Sequence, residues 1–190
     1  MDLVPTPSQT VGPFFHFGCT ETRSVAQIAG PEAKGERVML TCRVFDGEGV
    51  IIPDAMIEIW QADAEGRYNH PDDPRAGEAD PHCRGYGRLA TDQTGCCVFE
   101  TIKPGRVPAT DGELQAPHLN VSVFARGILK RLSTRIYFAD DPANAECPIL
   151  KLLPAERRDT LMAHFNPQTA GHWQFDIHLS GPNETVFFDV

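Results

Sequence analysis

Between residues 172 and 179 every second residue is large and apolar: Trp173, Phe175, Ile177 and Leu179 alternate with His172, Gln174, Asp176 and His178. A strand sends successive side chains to opposite faces, whereas a helix groups residues three and four apart. The segment is therefore expected to be a strand with one face in a core and the other wet or covered. The same period of two runs through Val38, Leu40, Cys42 and Val44 up to the turn signal Asp46-Gly47, and resumes at residues 57–60 after Pro53-Asp54. These two segments are expected to be antiparallel neighbours. Further strands are expected at residues 87–91, 97–102, 119–126 and 135–138, with a closing strand at 184–190 after Gly181-Pro182-Asn183. Residues 154–165 alone read as a helix, with Pro154 in the first turn, Glu156 near the start, and Leu161, Met162 and Phe165 on one side. The expected fold class is all-β, an antiparallel β-sandwich with long loops and one short helix, in a single domain over residues 1–190.

A chain of 190 residues buries about 70% of the surface it exposes unfolded, so its core needs no disulfide or structural metal. The six cysteines (Cys19, Cys42, Cys83, Cys96, Cys97 and Cys147) show no Cys-x-x-Cys spacing, and adjacent Cys96 and Cys97 point to opposite faces of a strand. They read as free thiols of a reducing compartment. The net charge of −9 is offset by no basic run, which argues against nucleic acid or an anionic membrane as the main partner. No apolar run approaches the ~20 residues of a membrane span, and the first residues lack a signal-peptide pattern. A cytoplasmic, soluble protein is expected. Two segments, 1–34 and 68–84, carry little periodicity. Long structureless stretches in a compact domain are usually functional loops or partner-binding arms.

His118 and Asn120 stand two apart at the start of an expected strand, so both leave the same face, which Ser122, Phe124 and Arg126 continue. On its own His118 reads as a half-buried, hydrogen-bonded histidine and Tyr68 as a loop aromatic. His172, Asp176 and His178 also share a face, but they span about 20 Å of strand, too far for one mononuclear metal site.

In chain order, the segments Glu58-Ile59-Trp60-Gln61-Ala62-Asp63-Ala64-Glu65-Gly66-Arg67-Tyr68, Thr101-Ile102-Lys103-Pro104-Gly105, Ala116-Pro117-His118-Leu119-Asn120 and Cys147-Pro148-Ile149 resemble the intradiol ring-cleavage dioxygenases. The resemblance covers nearly the whole chain. It implies a β-sandwich of the intradiol type carrying a mononuclear non-haem Fe(III), which activates a bound catecholate for cleavage by O2 between its two oxygenated carbons. Ferric ion is a hard Lewis acid, suited to two tyrosinates and two imidazoles that leave room for a bidentate catecholate.

Half of that ligand set is missing. The resemblance places the first tyrosine at Tyr68, the second at Val107, and the His-x-His pair at His118 and Asn120; the arginine expected before the first histidine is Gln115. Valine offers no donor atom and a neutral amide is a poor ferric ligand. Loss of second-shell support alone lowers metal affinity by about 10 to 100-fold, and loss of two direct donors costs more. The chain is therefore expected to hold no catalytic iron and no catalytic residue of its own.

The family includes hetero-oligomers in which a chain with iron and a chain without it share one fold, and this chain resembles the iron-free type. The implied cofactor is Fe(III) bound by a homologous partner β chain, and the implied small molecules are a carboxylated catechol and O2. The opening Thr6-Pro7-Ser8-Gln9-Thr10-Val11-Gly12-Pro13-Phe14-Phe15 resembles the segment by which such chains line the partner's active site, within an arm over residues 1–34. By that resemblance Thr10, Gly12, Pro13 and Arg126 complete the shared substrate pocket, and Phe14 and Phe15 bury against the partner. A glycine at position 12 lets backbone approach a ligand closely, and the Arg126 guanidinium matches an anionic substrate. Two rival readings are a scaffold or binding protein that kept the sandwich, and a self-contained metalloenzyme with altered ligands.

Overall fold

The computed structural model describes residues 7–109, 112–169 and 171–189; residues 1–6 of the expected arm, Thr6 included, and Val190 of the expected closing strand lie outside them. Eight strands form one hydrogen-bonded succession: β1 (Arg37–Phe45), β2 (Met56–Trp60), β3 (Tyr86–Ala90), β4 (Cys96–Ile102), β5 (His118–Phe124), β6 (Leu132–Phe138), β7 (Met162–Phe165) and β8 (His172–His178). Their spatial order is β3-β2-β5-β6-β7-β8-β1-β4. No helix among the described residues is long and apolar enough to cross a membrane.

The period-two segments form strands as expected. In β8, Trp173, Phe175 and Ile177 are buried while His172, Gln174, Asp176 and His178 face outward, and Leu179 packs against the core edge. Each such apolar side chain contributes about 1.5–3 kcal/mol on burial. They pack with Leu40, Cys42 and Val44 of β1, Phe99 of β4, Leu119 of β5 and Phe138 of β6. The ring of Phe138 meets Trp173 edge-on at 5.0 Å. A smaller cluster of Ala116, Tyr137, Cys147, Leu150 and Leu161 lies beside this core. All six cysteines are free, and of the adjacent pair Cys97 is buried while Cys96 is half-exposed.

Four expectations need correction. First, the pairing is not wholly antiparallel, because β1 runs parallel to β8 and β6 parallel to β7. The β6–β7 crossover is filled by short helical turns at Pro142–Glu146, Pro148–Lys151 and Ala155–Leu161, since parallel strands cannot be joined by a hairpin. Second, β1 and β2 are not neighbours. β1 lies between β4 and β8, and β2 lies between β3 and β5. Alternation shows which residues share a face, and pairing depends on where the connecting turn sends the chain. Third, residues 154–165 are a 3-10 segment followed by β7. From Leu161 onward burial alternates, with Leu161 and Ala163 inside and His164 outside, so the helical reading fails at the point where period two begins. Fourth, residues 184–189 form no ladder strand. Phe188 makes a single antiparallel bridge to Ser133, its amide donating to the Ser133 carbonyl at 2.8 Å.

Candidate functional site

Tyr68 and Val107 lie on different loops that two glycines press together. Asp63, buried after β2, accepts from the Glu65 and Arg67 amides with Oδ1 and from the Asp80 amide with Oδ2. Its carbonyl accepts from the amides of Gly66 and Gly105. Gly66 has φ +73°, and a Cβ there would stand 2.0 Å from the Arg106 carbonyl oxygen; one on Gly105 would stand 2.5 Å from that of Ala64. The buried Gln61 ties the same corner to β4, its Oε1 accepting from Thr101 and its Nε2 donating to the Ile102 carbonyl. Both loops thereby reach the start of β5, which carries His118 and Asn120.

The four positions of the expected ligand set do converge. Tyr68, Val107, His118 and Asn120 line one cavity of about 430 Å³, together with Gln115, Trp60 and Arg135. Asn120 Nδ2 donates to Tyr68 Oη and to the Trp60 carbonyl, each at 3.4 Å. The Tyr68 ring stacks on Trp60 at 5.9 Å with 8° between planes. His118, 3% exposed, pairs through Nδ1 with the Ala116 carbonyl at 2.8 Å. Val107 presents only methyl groups. The Asn120 amide turns its donor nitrogen to the tyrosine hydroxyl where a metal site would need an acceptor. These residues do not fit a ferric ion, which needs four strong donors.

Burial raises the Tyr68 phenol above its ordinary value, against smaller opposing effects of Asn120 and Arg135. Burial also lowers His118 to about 4, and the nearby Arg135 charge acts in the same direction. The unfolded chain, with an ordinary histidine near 6.5, then binds a proton that the folded chain refuses. The stability associated with neutral His118 is complete above pH 6.5 and is lost as pH falls through 4, up to about 3 kcal/mol in all. Urea midpoints measured from pH 7 to 4 are expected to fall more steeply for the wild type than for His118→Gln; parallel curves would remove His118 from the acid response.

The second expected group gathers at the other end of β5. Gly12, Pro13 and Arg126 line a cavity of about 380 Å³ with Phe15, Asp54 and Met56. Thr10 joins them, its Oγ1 accepting from the Gly127 amide at 2.8 Å. Arg126 Nη2 lies 3.0 Å from Asp54 Oδ2, and the arginine side chain remains 73% exposed. Phe15 packs on Phe124 with ring centroids 5.4 Å apart, whereas Phe14 is 87% and Phe17 50% exposed. A methyl added to Gly12 would meet nothing within 4 Å, and its backbone is extended with φ −103°. Nothing within the described chain demands a glycine there.

Arg135 and Asp54 belong to these sites and escaped sequence reasoning. Arg135 is a lone strand arginine, and only the β5–β6 register, which sets it opposite Asn120, brings it to the first cavity. Asp54 occupies a turn with φ +61°, where its side chain meets a residue far along the chain. Of the outward residues of β8, Gln174, Asp176 and His178 border a cavity of about 250 Å³ whose lining does not include His172; Asp176 pairs with Arg43 at 2.7 Å and His178 stacks on Phe45.

A family described as Dioxygenase matches residues 10–181. The protocatechuate 3,4-dioxygenase alpha chain of Burkholderia cepacia is 44% identical over 201 aligned residues, covering 99% of this chain and 98% of the relative. The beta chain of the same organism's enzyme is 38% identical, covering 81% of this chain and 68% of the relative. Among solved structures, catechol 1,2-dioxygenase from Acinetobacter sp. ADP1 superposes with a TM-score of 0.62 at 22% identity, over 80% of this chain and 55% of that one.

Proposed function

Because the chain belongs to the dioxygenase family that spans its residues 10–181, we propose that it is the iron-free α subunit of a protocatechuate 3,4-dioxygenase. That enzyme cleaves 3,4-dihydroxybenzoate with O2 between its hydroxylated carbons to give 3-carboxy-cis,cis-muconate. In this reading a homologous β subunit binds the Fe(III). The two halves of the strand succession are the layers of the family's sandwich, and of the expected arm over residues 1–34 the stretch 7–24 is what meets β, since Val25 and Gln27 bridge to this chain's own Arg88 and Glu100 and Ile28 and Ala29 are buried within it. The reading also makes the protein cytoplasmic, in keeping with its free thiols.

The observation that carries the proposal is the contrast between the two ends of β5. At one end Val107 and the Asn120 amide stand where two iron ligands would be needed, and the amide is committed to Tyr68. At the other, Gly12, Pro13 and Arg126 line a cavity, with Thr10 held beside it by the Gly127 amide and the bare rings of Phe14 and Phe17 flanking it. Exposed aromatics beside a cavity suit the buried core of a subunit interface. Gly12, which the chain's own packing does not require, suits a backbone pressed against a neighbour's ligand. Arg126 supplies the positive charge that a catechol carboxylate seeks in a subunit of net charge −9.

Tyr68→Phe, made in the complex with β, tests the assignment of iron. Iron per αβ pair and turnover are expected to stay within about twofold of the wild type, since among the described residues the hydroxyl serves a single long hydrogen bond from Asn120, a loss worth about 1 kcal/mol of stability or less. Loss of iron would make Tyr68 a metal ligand and end the proposal.

A further inference from the structure

The cavity around Tyr68 and His118 is lined by both charges: Asp73 is tied to Arg75, and Asp72, 92% exposed, turns to solvent and His70 at the rim. Two arginines reach it. Arg75 is engaged by Asp73 at 3.3 Å and by the Gly66 carbonyl at 2.8 Å. Arg135 has no carboxylate partner among the described residues: its Nη1 donates to Gln115 Oε1 at 2.6 Å and to Tyr137 Oη at 3.3 Å, which leaves Nε and Nη2 of the fork unused. Close by are two acceptors without donors. His118 gives its Nδ1 proton to the Ala116 carbonyl, so Nε2 keeps its lone pair, on a side chain that is 3% exposed and lines the cavity. Asn120 spends only Nδ2, leaving Oδ1 unpartnered among the described residues. The stacked Trp60–Tyr68 pair and Val107 provide an apolar wall.

These acceptors open onto the cavity, where a complementary ligand group can take the place of water. A single aromatic ring fits easily into about 430 Å³. We propose that this cavity is a second, metal-free binding site for a hydroxylated aromatic carboxylate, the carboxylate on the open edge of Arg135, the ring against Trp60 and Val107, and the hydroxyl donating to His118 Nε2 or Asn120 Oδ1. The site belongs to this chain alone and does not require a partner's iron.

The test is a titration of the full chain with 4-hydroxybenzoate, followed by calorimetry and by the fluorescence of Trp60, which lines the cavity while Trp173 is buried in the core. Saturable binding at one site per chain is expected, with a dissociation constant below about 1 mM, within reach of a ten-atom ligand. Phenol, which lacks the carboxylate, is expected to bind at least about tenfold more weakly, as is 4-hydroxybenzoate to Arg135→Gln. Absence of saturable binding, or equal affinity for phenol and 4-hydroxybenzoate, would overturn the proposal, and both results come from the wild type without reliance on any variant folding. In the complex with β, two sites per αβ pair are expected, only one of them perturbing the iron spectrum; one site per pair would overturn it. A chain that binds the probe but yields no active complex would keep this site and remove the subunit assignment instead.

Discussion

In the complex with an iron-bearing β subunit, Arg126→Ala is expected to lower kcat/KM for protocatechuate by about tenfold or more while changing that for unsubstituted catechol by less than about threefold. A charge-assisted hydrogen bond to a carboxylate is worth about 1.5–3 kcal/mol, or roughly 10 to 150-fold, when both groups are sheltered. Arg126 is exposed in this chain, so the effect depends on the interface closing over it. Asp54, 3.0 Å from Nη2, holds one edge of the guanidinium and leaves the rest of the fork to the cavity. Plain catechol carries no carboxylate and has nothing to lose. Equal losses for both substrates would assign Arg126 to packing or assembly and remove its role in recognising the anion.

Gly66→Ala is expected to be the most damaging small substitution in the loops. The residue sits at φ +73°, where an L side chain costs about 1–3 kcal/mol, and its new Cβ would stand 2.0 Å from a backbone oxygen that cannot turn aside. A total above about 3 kcal/mol lowers the melting temperature of a chain this size by about 10 °C. Gly49→Ala is the matched comparison, with φ +80° and open space around the new methyl, and is expected to cost about 1 kcal/mol. If the two variants melted within about 3 °C of each other, the close approach of the loops carrying Tyr68 and Val107 would not be what glycine is needed for.

Much of this architecture is legible in the chain because the informative residues are local. Trp173, Phe175 and Ile177 alternate with polar neighbours and are buried as that pattern requires. His118 and Asn120, two apart, do leave the same face of β5, and Tyr68 and Val107 do meet them at one cavity. What escaped depends on contacts between distant residues. β7 is four residues long, so its alternation is too brief to outweigh Pro154, Glu156 and the apolar spacing that suggest a helix. The separation of β1 from β2 follows from long crossovers that place β8 and β4 beside β1. Arg135 reaches the first cavity only through the β5–β6 register, and Asp54 reaches Arg126 only because a turn before β2 folds against the end of β5. Neither residue lies in a motif.

As proposed above, this chain completes an active site whose iron it does not hold. The most direct test is iron content and protocatechuate-dependent O2 uptake, measured for the chain purified alone and again after co-expression with a β chain carrying two tyrosines and the His-x-His pair. Neither iron nor uptake is expected for the chain alone, and both are expected for the complex, with about one iron per αβ pair. Stoichiometric iron and turnover in the chain alone would contradict the proposal, and would mean that a ligand set other than Tyr68, Val107, His118 and Asn120 holds the metal.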